Sequence, residues 1–182
     1  ANCYQLSVAI RVGLDRCAEG LSRNNLAYSL MKLQRYEEAR QEVNRALECK
    51  RSCGEASQIW TTWTILHNLE QATGNLQAAA DARQQAIQSY LAYRRAGGQS
   101  LEESAQRCEL VFQAIEGEET AVLEQVLLEL TDDDVQPPIR TLIPKLQAIL
   151  RGDRDPALAD DQRLNFDDAV ELQLLLERLG AN

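Results

Sequence analysis

Proline is missing from the first 136 residues, and all four prolines fall between 137 and 156. No helix in that long stretch therefore loses a backbone N–H or meets a proline ring. Runs of β-branched and aromatic residues alternating between turn signals are also lacking, which removes the pattern of a strand. There is one histidine, His67. One histidine cannot complete a Cys2His2 zinc set, and no Ser-His-Asp or Cys-His-Asn order is defensible around it. Neither Gly-x-x-x-x-Gly-Lys-Ser/Thr nor Gly-x-Gly-x-x-Gly occurs, so the chain lacks a nucleotide-cradling loop. No apolar run approaches the roughly 18 residues that a membrane helix needs. The opening Ala1-Asn2-Cys3-Tyr4 lacks an initiator Met and a basic-then-apolar leader, which fits a piece of a longer protein. These absences point away from enzyme, metal, cofactor and membrane classes.

What is present is enough for a core: 182 residues, 45% hydrophobic and 26% charged. The net charge of −9 is uneven. Residues 1–100 carry 12 Lys/Arg against 9 Asp/Glu, and residues 101–182 carry 7 against 19. The acidic second half excludes a phosphate-backbone ligand there, and a balance of +3 in the first half is too weak for nucleic acid. Cys3, Cys17, Cys49, Cys53 and Cys108 are an odd, scattered set in a chain larger than disulfide-stapled domains. The expectation is reduced thiols in a cytoplasmic protein, with Cys49-x-x-x-Cys53 an incidental pair.

Helical periodicity then organises the chain. The expected helices are 4–18, 20–33, 36–50, 55–73, 76–95, 101–116, 119–131, 138–151 and 167–179, with Gly20, Gly54, Gly74, Gly97-Gly98 and Gly117 marking stops. In the third, Tyr36, Ala39, Val43, Ala46 and Leu47 form one apolar stripe. Its other face, including Glu37, Glu38, Arg40, Gln41, Glu42 and Arg45, reads as solvated. Forty residues on, Leu76, Ala79, Arg83 and Ala86 occupy the positions of Tyr36, Ala39, Val43 and Ala46. Leu6, Ala9 and Ile10 match Val43, Ala46 and Leu47 as a third, truncated copy. A period of two helices per 37–40 residues is the signature of an α-solenoid. Alanines at Ala39/Ala79 and Ala46/Ala86 would let paired helices approach closely. After Thr131, Pro137-Pro138 can start a helix that Pro144 is expected to kink or divide. A loop over 152–166 and a last apolar helix would cap the array.

These residues resemble the tetratricopeptide repeat, whose pattern is a large apolar residue, Leu and a small residue, a turn, Tyr-x-x-Ala and a later Ala. One unit reads Leu26-Ala27, Tyr36, Ala39, Ala46, and the next reads Trp63, Leu66, Gly74, Ala79, Ala86. Asn24-Asn25-Leu26-Ala27 followed by Tyr36-Glu37-Glu38-Ala39 looks like the longer variant of kinesin light chains and bacterial signalling ATPases and regulators. His67, Arg83 and the missing closing proline depart from the pattern. The resemblance implies an all-α, α–α superhelix of antiparallel pairs. Its repeats would span 1–131, with best units 20–53 and 60–95, a partial unit 1–19 and a degenerate pair 101–131. A helical cap with acidic loops would span 132–182.

The resemblance also implies a non-catalytic protein–protein interaction module, a fragment of a larger bacterial signalling or regulatory protein that grips a peptide or partner domain in its concave groove. Counted from Leu26 and Leu66, the groove-facing residues are Asn24, Tyr28, Met31, Lys32, Thr64, Asn68 and Gln71. Amides can bond an extended peptide backbone and Lys32 a carboxylate. The alternative is a self-associating domain, such as a homodimer, joined through exposed apolar helix faces. His67 reads as a packing residue. Asp132-Asp133-Asp134 and Asp153-x-Asp155 read as solvated turns, because the EF-hand positions counted from Asp153 fall on Ala157, Leu158 and Leu164.

Overall fold

A computed structural model describes residues 2–12, 15–54, 58–100, 103–129 and 137–180. These residues are all-helical, with no strand among them. In order they form α1 (Asn2–Arg11), α2 (Arg16–Lys32), α3 (Tyr36–Arg51), α4 (Ile59–Ala72), α5 (Leu76–Arg95), α6 (Glu103–Glu116), α7 (Thr120–Glu129), α8 (Pro137–Leu150) and α9 (Phe166–Gly180). The chain divides into two compact units, Ala1–Gly97 and Gly98–Asn182. The boundary expected at 131 and the turn Asp132–Asp134 lie outside the described residues.

In the first unit α2 pairs with α3 and α4 with α5. The two connecting turns are built alike. Gln34 (φ 57°) and Gly74 (φ 79°) are left-handed, forty residues apart. Arg35 N donates to Leu30 O at 2.9 Å, and Asn75 N to Glu70 O at 2.8 Å. This is the Schellman closure, which satisfies the last helix carbonyls and turns the chain back on itself. Glycine takes that φ without cost, whereas Gln34 pays a steric penalty that the hairpin's packing must cover.

Side chains from four helices then share the core. Val8, Leu26, Leu30, Ala39 and Leu69 form one cluster, with Met31, Tyr36 and Leu66 against it. Ala27, Val43, Leu47 and Ile65 form a second, flanked by Ile59 and Trp63. Each buried Leu or Ile contributes about 1.5–3 kcal/mol. Ala39, Ala46, Ala79 and Ala86 are all buried, in accord with the close approach their size permits.

Several expectations are corrected. Gly20 does not stop a helix. It lies inside α2, and a Cβ there would stand 3.0 Å from Lys50 Cγ and 3.1 Å from Cys49 Cβ. Glycine is needed for contact with α3, not for a turn. Helix α2 starts instead at Arg16, where Asp15 Oδ1 accepts from Cys17 N at 2.9 Å and Ala18 N at 3.2 Å. On α1 the buried residue is Val8, while Leu6 and Ile10 are exposed, so the truncated copy's register is not the packing register. Leu76 is likewise exposed, whereas Tyr36 packs on the core.

The polar face of α3 is not merely solvated. Arg40 Nε donates to Glu70 Oε1 at 2.7 Å and ties α3 to α4, with Asn75 Nδ2 adding a 2.6 Å bond to the same carboxylate. Arg40 and Asn75 hold the Glu70 carboxyl below its ordinary value, against the opposing effect of burial. Arg23 on α2 bridges Glu19 and Glu42, each at 2.7 Å.

The second unit gathers α6 to α9 around Leu142, Ile143, Leu146 and Ile149 of α8 and Val170, Leu172 and Leu175 of α9. Helix α8 runs unbroken through Pro144, which sits on its exposed side while buried neighbours hold both halves to the core. The loop before α9 holds a short 3-10 turn, Pro156–Ala159, capped by Asp155. Arg178 lies over the Phe112 ring at 3.7 Å and pairs with Glu109 at 2.7 Å, joining α9 to α6. Burial pushes the Asp167 carboxyl up, and Ser104 donates to it from α6.

Candidate functional site

The residues picked out for partner binding lie on α2 and α4, and they divide by environment. On α2, Leu26, Ala27 and Leu30 turn inward. The opposite stripe, Leu21, Asn25, Tyr28 and Lys32 at i, i+4, i+7 and i+11, is exposed. Tyr28 is 48% exposed and Leu21 51%, large values for apolar bodies on a helix whose other side is fully used. Lys32 Nζ lies 5.2 Å from the Tyr28 ring centroid, within cation–π reach. On α4, Asn68 and Gln71 are exposed, and Thr64 is half-buried with its hydroxyl donating to the Trp60 carbonyl at 2.9 Å.

Asn24 is buried and Met31 only half-exposed. Met31 packs against the core. Asn24 is 7% exposed and joins the two helices, its Nδ2 donating to Thr61 Oγ1 at 3.5 Å. Its Oδ1 is buried without a hydrogen-bond partner. The surface that remains is Tyr28, Lys32, Asn68 and Gln71, together with Leu21 and Asn25. Those last two were readable in the sequence by stepping back seven and three positions from Tyr28. Such a surface can do two things chemically. Amides and the phenol bond a peptide backbone, and the ammonium attracts a carboxylate.

A second feature escaped sequence reasoning altogether. Cys17 and Cys53 form a disulfide across 36 residues, with Cα atoms 5.8 Å apart. The expectation of five free thiols is thereby corrected: Cys3, Cys49 and Cys108 are free, the last two buried. The physical reason is the hairpin. It lays the first turn of α2 beside the end of α3, within the Cα separation that a disulfide requires. Pairing of this kind is not deducible from cysteine spacing.

Beside the disulfide lies Lys50, 3% exposed. Its ammonium donates to Thr61 Oγ1 at 3.0 Å and to the Gln58 carbonyl at 3.3 Å, and burial pulls its pKa from 10.5 down to about 8. Thr61 in turn donates to the Gln58 carbonyl at 2.9 Å. The start of α4 is thus tied to α3 through Lys50 and to α2 through Asn24.

His67, Asp153 and Asp155 are engaged structurally. His67 Nδ1 donates to the Ala79 carbonyl at 2.8 Å, linking α4 to α5. Asp153 and Asp155 accept from the backbone amides of Asp155 and Ala157, each at 2.9 Å. Among the described residues, no three His, Cys, Asp or Glu side chains gather as a metal would require. No helix there is long and apolar enough to cross a membrane. A cavity of about 410 Å³ between α1, α2 and α3 has Val8, Leu26 and Leu30 at its floor. The Arg23, Glu42 and Arg45 side chains in its wall are paired with one another. Comparison with protein-family models, with curated proteins and with solved structures finds no match.

Proposed function

We propose that the first unit is a protein-interaction module that binds an extended, acidic segment of a partner protein along the exposed α2/α4 face. The observation carrying this reading is the Leu21–Asn25–Tyr28–Lys32 stripe, exposed on a helix whose remaining sides are occupied by packing. The net positive balance of residues 1–100 favours an acidic ligand over a basic one. The tetratricopeptide assignment, and a place within a larger bacterial signalling or regulatory protein, rest on the resemblance in the repeat residues. The forty-residue recurrence of the Gln34 and Gly74 turns supports it. A cytoplasmic location loses its thiol argument, since a Cys17–Cys53 disulfide is typical of oxidising compartments or of redox-responsive proteins.

The test is a pull-down with the intact chain, its Tyr28→Ala variant and its Lys32→Glu variant, with circular dichroism to establish that each is folded. A partner captured by the parent and lost from both variants supports the face. A partner retained by both, or none captured by the parent, refutes it. Self-association is the second reading, motivated by the exposure of Leu6 and Ile10 on α1 and Val122 on α7. A mass that stays monomeric over a hundredfold concentration range in light scattering rules it out.

A further inference from the structure

We propose that the Cys17–Cys53 disulfide is a reversible latch: its reduction by a dithiol releases the start of α4 from α2 and α3 and uncovers the Lys50 amine. The position of the bond suggests this first. The α2–α3 hairpin is closed at one end by the Gln34 turn, and the disulfide closes the other. Cys17 is the second residue of α2, and Cys53 stands two residues beyond the end of α3. The chain then passes to α4, whose first residue is Ile59.

The second argument is that α4 begins weakly. Gln58, the residue before it, is left-handed (φ 48°) and makes no side-chain cap. A non-glycine residue there is strained, and no side chain of Gln58 caps the first-turn amides, of which Thr61 N donates to the Gln58 carbonyl at 3.1 Å. What fixes this turn is Lys50, through Thr61 and the Gln58 carbonyl, and Asn24 through Thr61. Lys50 is a buried ammonium whose two hydrogen bonds go to neutral oxygens, an arrangement that survives only while the surrounding helices are held together. Gly20 contributes by admitting Lys50 Cγ and Cys49 Cβ at closest packing, one turn inside the disulfide. Removing the covalent tie therefore acts at a helix start held by few contacts.

The chemistry balances as thiol–disulfide exchange. A thiolate of the dithiol attacks Cys17 Sγ, on an exposed residue, and Cys53 leaves as a thiolate that takes a proton from water. The second thiol of the reductant then attacks the mixed disulfide, freeing Cys17 and closing the reductant's own disulfide. Two electrons pass to the protein. Cys49 is not the internal attacker, because burial pushes its thiol pKa up and keeps it protonated.

The intact chain, oxidised and then reduced with dithiothreitol, is pulsed with an acetylating reagent, and Lys50 and Lys32 are read by peptide mass spectrometry. Exposed Lys32 serves as the internal reference. The expected result is a rise of at least tenfold in Lys50 labelling relative to Lys32, with faster amide exchange over 47–64 but not over 36–45, both reversed on reoxidation. Cys17→Ser should show the reduced pattern without reductant. Unchanged Lys50 labelling in both overturns the latch. So does exchange that accelerates equally over 36–45 and 47–64, which would make the bond a general staple. None of these readouts involves a partner, so they stand or fall separately from the Tyr28 test. The one consequence that rests on the binding reading is that reduction, by loosening the Asn24–Thr61 link, changes affinity at the α2/α4 face.

Discussion

Replacing Lys50 with Met should stabilise the first unit at neutral pH. Lys50 is 3% exposed, and burial takes its pKa from 10.5 to about 8. At about 1.4 kcal/mol per pH unit, that is about 3 kcal/mol against the charged form. Relaxation and water access near the α3–α4 connection reduce the expected effect to about 2 kcal/mol. Because the folded value lies below the unfolded one, the unfolded state binds more protons between pH 8 and 10.5. Stability due to this group is therefore lowest below pH 8, rises across that window, and carries no penalty above it. Methionine keeps most of the apolar stem against Gly20 and deletes the charge, while Thr61 retains its bond to the Gln58 carbonyl.

Urea titrations at pH 6.5 and 9.5, followed by tryptophan fluorescence, measure this directly. Both tryptophans, Trp60 and Trp63, lie in α4 and report the first unit. The parent should gain about 1 kcal/mol at the higher pH relative to the variant, which should exceed the parent by about 2 kcal/mol at pH 6.5. The denaturant slope should not change. A variant less stable at both pH values, or equal pH dependence in the two proteins, would refute the reasoning. The amine's hydrogen bonds would then outweigh the cost of burying it.

Gly20→Ala should lower the thermal midpoint, because a methyl 3.0 Å from Lys50 Cγ and 3.1 Å from Cys49 Cβ forces α2 from α3. The strain, about 1–3 kcal/mol, exceeds the roughly 1 kcal/mol gained in helix propensity, and a raised midpoint would contradict this. Glu70→Gln should cost about 1–3 kcal/mol by weakening the bonds from Arg40 and Asn75. Since the Glu70 carboxyl is held below its ordinary 4.5, the stability it supplies is present above that pH and lost as pH falls through its folded value. The variant should accordingly lose less stability than the parent on acidification, and parallel acid titrations of the two would sink the claim. Leu69→Ala, at a fully buried position, should cost about 2–5 kcal/mol in the same urea assay. Tyr28→Ala should stay within about 0.5 kcal/mol of the parent, being a surface change.

Periodicity by itself determined the helical class, because the inward positions of α2 and α3, such as Leu26, Leu30, Val43 and Leu47, repeat at the spacing of one helix face. It also marked the alanines at the helix crossings, since only small side chains suit that approach. Tyr28 and Lys32 came instead from counting along the repeat that the chain resembles, not from periodicity. Where the sequence misled, two structures were consistent with one local pattern. Glycine permits both a turn and a close helix contact, and only the presence of Lys50 and Cys49 opposite Gly20 selected the second. Asn24 and Met31 share a helix face with Tyr28, but the rotation of α2 against α4 and the core decided that Asn24 is buried and Met31 half-buried. The same holds for Arg40, whose partner lies thirty residues away on α4, and for Cys17 and Cys53, which meet only when the hairpin closes. Local spacing specifies which side chains share a face. Which residues stand across from them is set by the packing of one helix on another, and the disulfide and the buried Lys50 belong to that packing.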